Sequence, residues 1–491
     1  MLGLAVLRLP HEMSFGAFIF GDHGGWLTVQ ALAARGVRPG VDFSYFYGLL
    51  PIFVGRLWFG AFGLTPIAFE VASMLCGLMV ALAIARFASA LRLNAFGMAI
   101  LVVAAPIAIP SAYYSLAHGI EAALLSNALA GFAQRRRAQA LALATAACFA
   151  KPEMGYFFGL FILIAIVAAA SRRDADGRRG CDWRAALRDC APAAVTGALL
   201  APLMAFMYGV PSLLATLLPT GGISNYQALG FGLFNHGGRE FYYFPGAPLI
   251  AYFALVVPFW FLGGIWLTVA GVFAAARLIG RDPADAGDPR LDAMVAFCAG
   301  AHLLAALVMF GGPASWMNYS FVLVMGVAAS AAIGDFSFAP VAILVLIAVL
   351  SDFGTTVAAV GDWRGTAPAA ATAGLWASPA QRADWRTIER LTRGHRTIVI
   401  SITGAAPILF PGFMPASASF LLPGKRIGDE FAHTRDGIEH AQFVVTPVIG
   451  NPGDARHRLP WLRRELASFP VVWRSADLEV RRNPRPLRSA G

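Results

Sequence analysis

The sequence predicts a mainly α-helical protein: a polytopic transmembrane bundle of about ten or eleven spans followed by a C-terminal α/β domain on the outer, periplasmic side. Three observations predict it. Of 491 residues, 58% are hydrophobic and only 13% charged, with a mean hydropathy of +0.63, whereas soluble domains carry about 25% charged residues. A single water-soluble globule is therefore excluded. The charges are also unevenly placed: residues 1–357 hold 20 basic and 17 acidic side chains, and residues 358–491 hold 18 and 11. That divides the chain into a membrane body, 1–357, and a polar tail domain, 358–491. Finally, ten apolar runs qualify as spans of roughly 20 residues, the fourth of them short, and the loops between them alternate in charge.

Taken in order, the N-terminal 21 residues are apolar but interrupted by Arg8, Pro10, His11 and Glu12. This predicts a short broken helix or a recorded start downstream of the true one, and the second is favoured. No small-residue cleavage pattern follows an apolar core, so no cleavable signal is expected. Residues 22–65 form a first external loop. Within it, Phe46 to Gly63 carries Pro51 and Arg56 centrally, which predicts a helix in the membrane interface with Arg56 snorkelling and Trp58 at the boundary; a further span is the alternative.

The ten runs lie near 66–86, 95–113, 116–133, 138–150, 154–170, 190–209, 247–275, 291–311, 316–334 and 337–357. Lys151-Pro152-Glu153 reads as a break at the membrane surface rather than as a buried charge. One set of loops holds Arg86 and Arg92, Arg135 to Arg137, six arginines between Arg172 and Arg188, and Arg277, Arg281 and Arg290. The other set holds chiefly Arg35, Arg38, Lys151 and Arg239. The positive-inside rule makes the first set cytoplasmic and places residues 22–65, the 210–246 loop and the tail outside. The net charge of +10 is then a matter of topology and lipid headgroups, and nucleic acid is not an expected partner.

The tail reads as alternating helix and strand: a helix at 380–392, a β-branched run at Thr397–Thr403 closed by Gly404-Ala405-Ala406-Pro407, a strand at Ala441–Thr446, a helix at Trp461–Ala467, and a strand pair at Pro470–Trp473 and Leu478–Val480. From Arg481 the chain reads as frayed and basic. The five cysteines show neither metal-ligand spacing nor a disulfide framework, and the excess of Arg over Lys carries no chemistry of its own.

In so apolar a body, the informative side chains are the ionisable ones near helix ends. Gly21-Asp22-His23-Gly24-Gly25 puts an acid on a glycine-flanked turn, where it can approach a substrate hydroxyl and take its proton. The competing reading is an Asp that caps the following helix. His118 and Glu121 stand three residues apart at the outer start of a helix, as a polar pair or a substrate contact. Lys151 can meet a leaving phosphate, or pair with Glu153 or a lipid phosphate. The 210–246 loop brings Asn225, Tyr226, Asn235, His236, Arg239 and Glu240 among aromatics, which suits a sugar or an ordinary interfacial loop. Trp316-Met317-Asn318-Tyr319 reads as an aromatic belt. Walker-type, His-Glu-x-x-His and Gly-x-Ser-x-Gly segments are absent, so ATP coupling by this chain, zinc proteolysis of that type and a serine elbow are not indicated.

An Asp after the first helix, an amphipathic stretch, the Gly-x-x-Pro of Gly36-Val37-Arg38-Pro39 and then Asp42-Phe43-Ser44-Tyr45-Phe46-Tyr47-Gly48 before an interfacial helix resembles the first external loop of the GT-C superfamily. These are multi-spanning glycosyltransferases that use lipid-phosphate sugars. His118-Gly119-Ile120-Glu121 is similar to the Ser-Gly-x-Glu element of bacterial members, with His in place of Ser, and Ala150-Lys151-Pro152 to their Lys-Pro break. The resemblance implies a polyprenyl-phosphate sugar as donor, a glycan, lipid or protein as acceptor, and the lipid bilayer as a further partner. It implies Asp22 as general base and Asp42 as the second loop acid, for acceptor positioning or a metal contact. The substrate-binding candidates are Asp42, Tyr45, His118, Glu121, Lys151, Glu153, His236 and Arg239. His23 stands where some branches carry a second acid, so a divalent metal is left open and no metal ligand is assigned. The alternatives are a transporter or flippase of a lipid-linked or small polar substrate, whose expected pseudo-repeats the two halves do not echo, and a non-catalytic envelope assembly factor.

Overall fold

The computed structural model describes residues 2–43, 45, 47–108, 116–173, 179–218, 257–280, 289–308, 319–333, 357, 359–401, 404–410, 412–414, 428–448, 456 and 459–485. The chain opens with three short helices, α1 (Leu2–Glu12), α2 (Phe15–Ile19) and α3 (Asp22–Ala34), and a fourth, α4 (Leu50–Phe62). α1 is short, as one of the two N-terminal readings expects. At 13 residues, α4 is about 20 Å long against a hydrocarbon core of about 30 Å. Its Arg56 is exposed, and Trp58 Nε1 donates to the Ala68 carbonyl at 2.8 Å.

The bundle follows: α5 (Pro66–Leu91), α6 (Ala95–Ala108), α7 (Leu116–Ala133), α8 (Arg137–Cys148), α9 (Pro152–Ala170), α10 (Trp183–Tyr208), α11 (Val210–Leu217), α12 (Val257–Gly280), α13 (Pro289–Val308) and α14 (Ser320–Ile333). Nine of the ten expected spans coincide with these helices; 337–357 lies outside the described residues except for its last. Pro66–Leu91, Pro152–Ala170, Trp183–Tyr208 and Leu262–Ile279 are each long and apolar enough to cross a membrane. α5 starts where Thr65 Oγ1 accepts from the Ala68 amide at 3.3 Å with Pro66 at the first helical position, a standard capped start. It ends at Arg92, whose φ of 49° turns the chain.

α7 lies against α5 and α8, and α8 against α9 and α10; α12, α13, α14 and α6 form a second run of neighbours. Small residues permit the close approach: a Cβ on Gly326 would stand 2.7 Å from Cys298 Cβ. At the Arg-rich end, Arg86 donates to Asn127 Oδ1 at 2.8 Å and Gln134 Oε1 at 3.0 Å, and Arg277 pairs with Asp292 at 2.6 Å. The fixed arginines thus lock neighbouring helices at one end and leave the other for the cluster described below.

Two short antiparallel pairs, β1 (Ser171–Arg173) with β2 (Arg179–Cys181) and β3 (Ala367–Pro368) with β4 (Trp376–Ala377), precede the main sheet; in that sheet β5 (Thr397–Val399) lies between β6 (Phe413–Met414) and β7 (Phe443–Pro447), parallel to both. β9 (Leu478–Arg482) is antiparallel to β7 and to β8 (Val471–Arg474), giving the order β6-β5-β7-β9-β8. Helices α15 (Pro379–Thr392), α16 (Ala406–Leu409), α17 (Gly428–His440) and α18 (Pro460–Ala467) surround it. Side chains alternate between two cores, as a strand's period of two requires. Ile398, Ile400 and Val444 pack with Leu462, Leu466 and Phe469, while Val399, Val445 and Val480 join Phe15, Phe18 and Trp26 of the N-terminal segment.

The expected frayed end at Arg481 is corrected. Arg481 and Arg482 belong to β9, and Arg481 donates to Glu479 Oε1 at 2.7 Å and to the carbonyls of Leu466 and Phe469 at 2.8 and 3.1 Å. Glu479, fully buried, also binds Arg456 and, at 2.7 Å, Arg474. Burial alone would raise its carboxyl, but hydrogen bonds from Arg481, Arg456 and Arg474 outweigh that and hold it at about 2.

Candidate active site

The site is built where a loop and three helix starts meet, at the end of the bundle away from the arginines. α8 ends at Phe149, and Lys151 follows in an extended conformation with Pro152 at the first position of α9. Proline cannot continue a preceding helix but fits a new one, so the Lys-Pro pair makes the break. Gly155 allows α9 to fold back onto α8, since a Cβ there would stand 2.7 Å from Cys148 Cα. The loop strand before α4 is then fastened to this break: the Gly48 and Leu50 amides donate to the Ala150 and Phe149 carbonyls at 2.9 and 2.8 Å. A Cβ on Gly48 would run into the Phe149 carbonyl.

These constraints bring five side chains together. Lys151, 2% exposed, places Nζ 3.9 Å from Glu121 Oε2, over the Tyr319 ring at 4.9 Å and near the Tyr47 ring at 5.9 Å. Glu121, 1% exposed, accepts from the Tyr319 hydroxyl at 3.1 Å on its other oxygen and lies 3.6 Å from His118 Nδ1. His118 Nε2 is 3.4 Å from the Tyr47 hydroxyl. The ammonium is thus held between one carboxylate and two ring faces, both of which stabilise a desolvated cation.

Three expectations change here. Lys151 is a buried charge rather than a surface break, because α9 and the loop segment 47–49 before α4 close over it. The carboxylate that it meets at 3.9 Å is that of Glu121; Glu153, in the first turn of α9, where an acid suits the helix dipole, adds an electrostatic attraction to the ammonium. Tyr319 is not a belt residue: it is fully buried, and its hydroxyl serves Glu121. The three residues before it lie outside the described residues.

His118, Glu121 and Lys151 therefore converge, with Tyr47 and Tyr319 added. Tyr45 is buried nearby, edge-on to Tyr47 at 5.9 Å, with its hydroxyl donating to the Gly48 carbonyl at 3.1 Å. Asp42 is engaged elsewhere. Its oxygens accept from Arg38 Nε at 3.0 Å, Nη2 at 2.8 Å and the backbone amide at 2.8 Å, and this pairing with Arg38 holds its carboxyl below the usual range. The pair closes the turn that Gly40, at φ 72°, makes.

Asp22 is the first residue of α3, with Gly21 as the capping residue, so it is not the helix cap; its side chain lies outside the described residues, as do His236 and Arg239. Next to it His23 reaches a second buried group. Its Nδ1 donates to the Glu12 carbonyl at 2.9 Å and lies 3.5 Å from Glu70 Oε1, while Nε2 is 3.6 Å from Glu12 Oε2. Glu70 is 1% exposed. The sequence signal for it was available: a single acid in a 26-residue apolar run. Among the described residues no group of three or more His, Cys, Asp or Glu side chains is placed to hold a metal ion.

No family model matches the chain, and no curated protein does. Among solved structures, the chain is similar to the crystal structure of ArnT from Cupriavidus metallidurans bound to undecaprenyl phosphate. The identity is 15%, the TM-score 0.50, and the match covers 100% of this chain and 98% of that one. The chain has the fold of that ArnT structure. That fold and the apolar helices make it a membrane protein, and the correspondence extends over the helical bundle and the C-terminal sheet alike. Of the segments that carry the GT-C resemblance, the structure brings Tyr47 at the end of the first loop, the His-Gly-x-Glu helix start and the Lys-Pro break together around Lys151, while Asp42 lies apart in its pair with Arg38.

Proposed function

We propose that the chain is an integral membrane glycosyltransferase of the bacterial inner membrane. It moves a sugar from a polyprenyl-phosphate donor to an envelope acceptor on the outer face, with residues 1–357 as the catalytic bundle and 358–491 as a periplasmic domain. The observation that carries this reading is the buried Lys151–Glu121–Tyr319 group at the end of a GT-C bundle opposite its arginines, together with the undecaprenyl phosphate bound in the ArnT structure. Lys151 supplies a positive charge for the donor phosphate in a water-poor setting, where it is worth most. Glu121 and Tyr319 hold the ammonium, and His118 and Tyr47 complete the wall.

Asp22 takes the proton of the acceptor hydroxyl as its oxygen attacks the anomeric carbon. The bond from that carbon to the phosphate oxygen breaks with inversion, and the electron pair leaves on the lipid phosphate. The donor bond supplies the driving force, so no nucleotide is needed. Asp42, Tyr45, Glu153, His236 and Arg239 remain proposed substrate contacts, and a divalent metal remains a proposed addition to the loop acids.

The test is a labelled polyprenyl-phosphate sugar added to the purified chain in nanodiscs. Donor-dependent product that disappears in Asp22→Asn while donor binding persists supports the assignment. Lys151→Met is expected to weaken donor binding about 10²-fold, the loss of one charge-assisted contact. Movement of the lipid across the bilayer without product overturns the reading in favour of a flippase.

A further inference from the structure

The parallel part of an open sheet takes ligands outside the carboxyl ends of its strands, and in this chain that edge is filled by the chain itself. Beyond β5 the described residues are Ile400 and Ser401 and then Gly404, Ala405 and α16. There the Ala405 amide donates to the Phe18 carbonyl at 2.8 Å, and Thr28 Oγ1 donates to the Gly404 carbonyl at 2.7 Å. The two bonds bracket Gly21 and Asp22 from either side. Two glycines set how near the backbones come. A Cβ on Gly24 would meet the Phe18 carbonyl and stand 2.6 Å from the Ala405 amide, and a Cβ on Gly404, at φ +152°, would meet the Ile19 carbonyl. Upstream, the Trp376 amide donates to the Met13 carbonyl at 2.9 Å, and the fully buried Trp385 meets Phe15 edge-on at 5.2 Å.

We propose that the C-terminal domain is the clamp of the Asp22 turn: the loop after β5 holds residues 18–28 and so sets where α3 presents its first residue. The domain's ligand at this edge is the first external loop of its own chain. Thr28, Gly24, Gly404 and Ala405 are positioning residues that act through Asp22. The consequence for catalysis rests on the reading of Asp22 as the base; the clamp itself does not. Holding a reacting group in place before substrate arrives lowers the entropic barrier, and a misplacement of about 1 Å can cost about 10²-fold in rate.

Hydrogen exchange of the full chain in nanodiscs tests it, comparing the wild type with Thr28→Val, Thr28→Ser and Gly404→Ala. Exchange over residues 16–26 is expected to rise about tenfold in Thr28→Val, the loss of one buried hydrogen bond, to rise further in Gly404→Ala, and to return in Thr28→Ser. Protection of β7 reports that the domain stays folded. If Gly404→Ala loses that protection too, Thr28→Val decides, since it removes a hydroxyl and keeps the shape. With a polyprenyl-phosphate sugar as probe, read as released polyprenyl phosphate, kcat falls in Thr28→Val while the donor KM holds. Unchanged exchange over 16–26 in the folded variants overturns the clamp, and raised exchange with intact kcat overturns its role in positioning. A wild type that consumes no donor overturns the glycosyltransferase reading, and exchange alone then judges the clamp.

Discussion

Lys151 is one of two lysines in a chain with 38 cationic side chains, and the other, Lys425, is in the tail. Lys presents a compact point charge where Arg presents a planar fork, so a lone Lys at a helix break in an arginine-rich body is a legible signal of a special position. Tyr319 was not legible, because its partner Glu121 is 198 residues away. Glu479 shows the same limit in the tail: three arginines from different segments converge on it, and only the fold reveals this. Its carboxyl is depressed in the folded state, so its contribution is fully present above the ordinary Glu value of about 4.3. That contribution fades as pH falls towards about 2. Glu479→Gln, which leaves buried arginines uncompensated, is expected to cost about 3–5 kcal/mol at neutral pH. Thermal unfolding of wild type and variant from pH 7 to pH 3 checks this, and the gap between them should narrow below about pH 4.

Among elements, the spans were readable because each is a long apolar run with a proline, a cap or an arginine at its ends; Thr65-Pro66 and Lys151-Pro152 are examples. The strands β5, β7 and β9 were readable from their β-branched runs. α17, 13 residues of largely polar sequence with a glycine near its end, offered no apolar periodicity, and β6 is only two residues long. The interface between the loop segment 47–49 and the α8–α9 turn has no sequence signature beyond Gly48. Gly48→Ala is expected to push that segment from the Phe149 carbonyl, costing about 1–3 kcal/mol as overpacking does, and to move Tyr47 off Lys151. Donor binding should weaken while the bundle keeps its helicity, measured by lipid titration and circular dichroism.

At the scale of the molecule, the division at 357/358 marks a change in composition, yet packing runs across it: one apolar core joins Phe15, Phe18 and Trp26 to Trp385, Val399 and Val480. Trp385→Ala is expected to cost about 3–5 kcal/mol. Because Phe15 loses its cover, proteolytic nicking within residues 1–28 should increase together with unfolding of the sheet; nicking of the sheet alone would show two independent units. The Thr28–Gly404 bond, whose partners stand 376 positions apart, also imposes a schedule on biosynthesis. At about 5–20 residues per second of translation, roughly 20–75 s pass between the making of its two ends. Throughout that interval the newborn N-terminal segment carries Phe15, Phe18 and Trp26 without their eventual cover. What is translated around residue 404 thus completes what residues 13–28 begin, and a ribosome stalled before residue 404 leaves a bundle whose Asp22 turn has nothing to rest on.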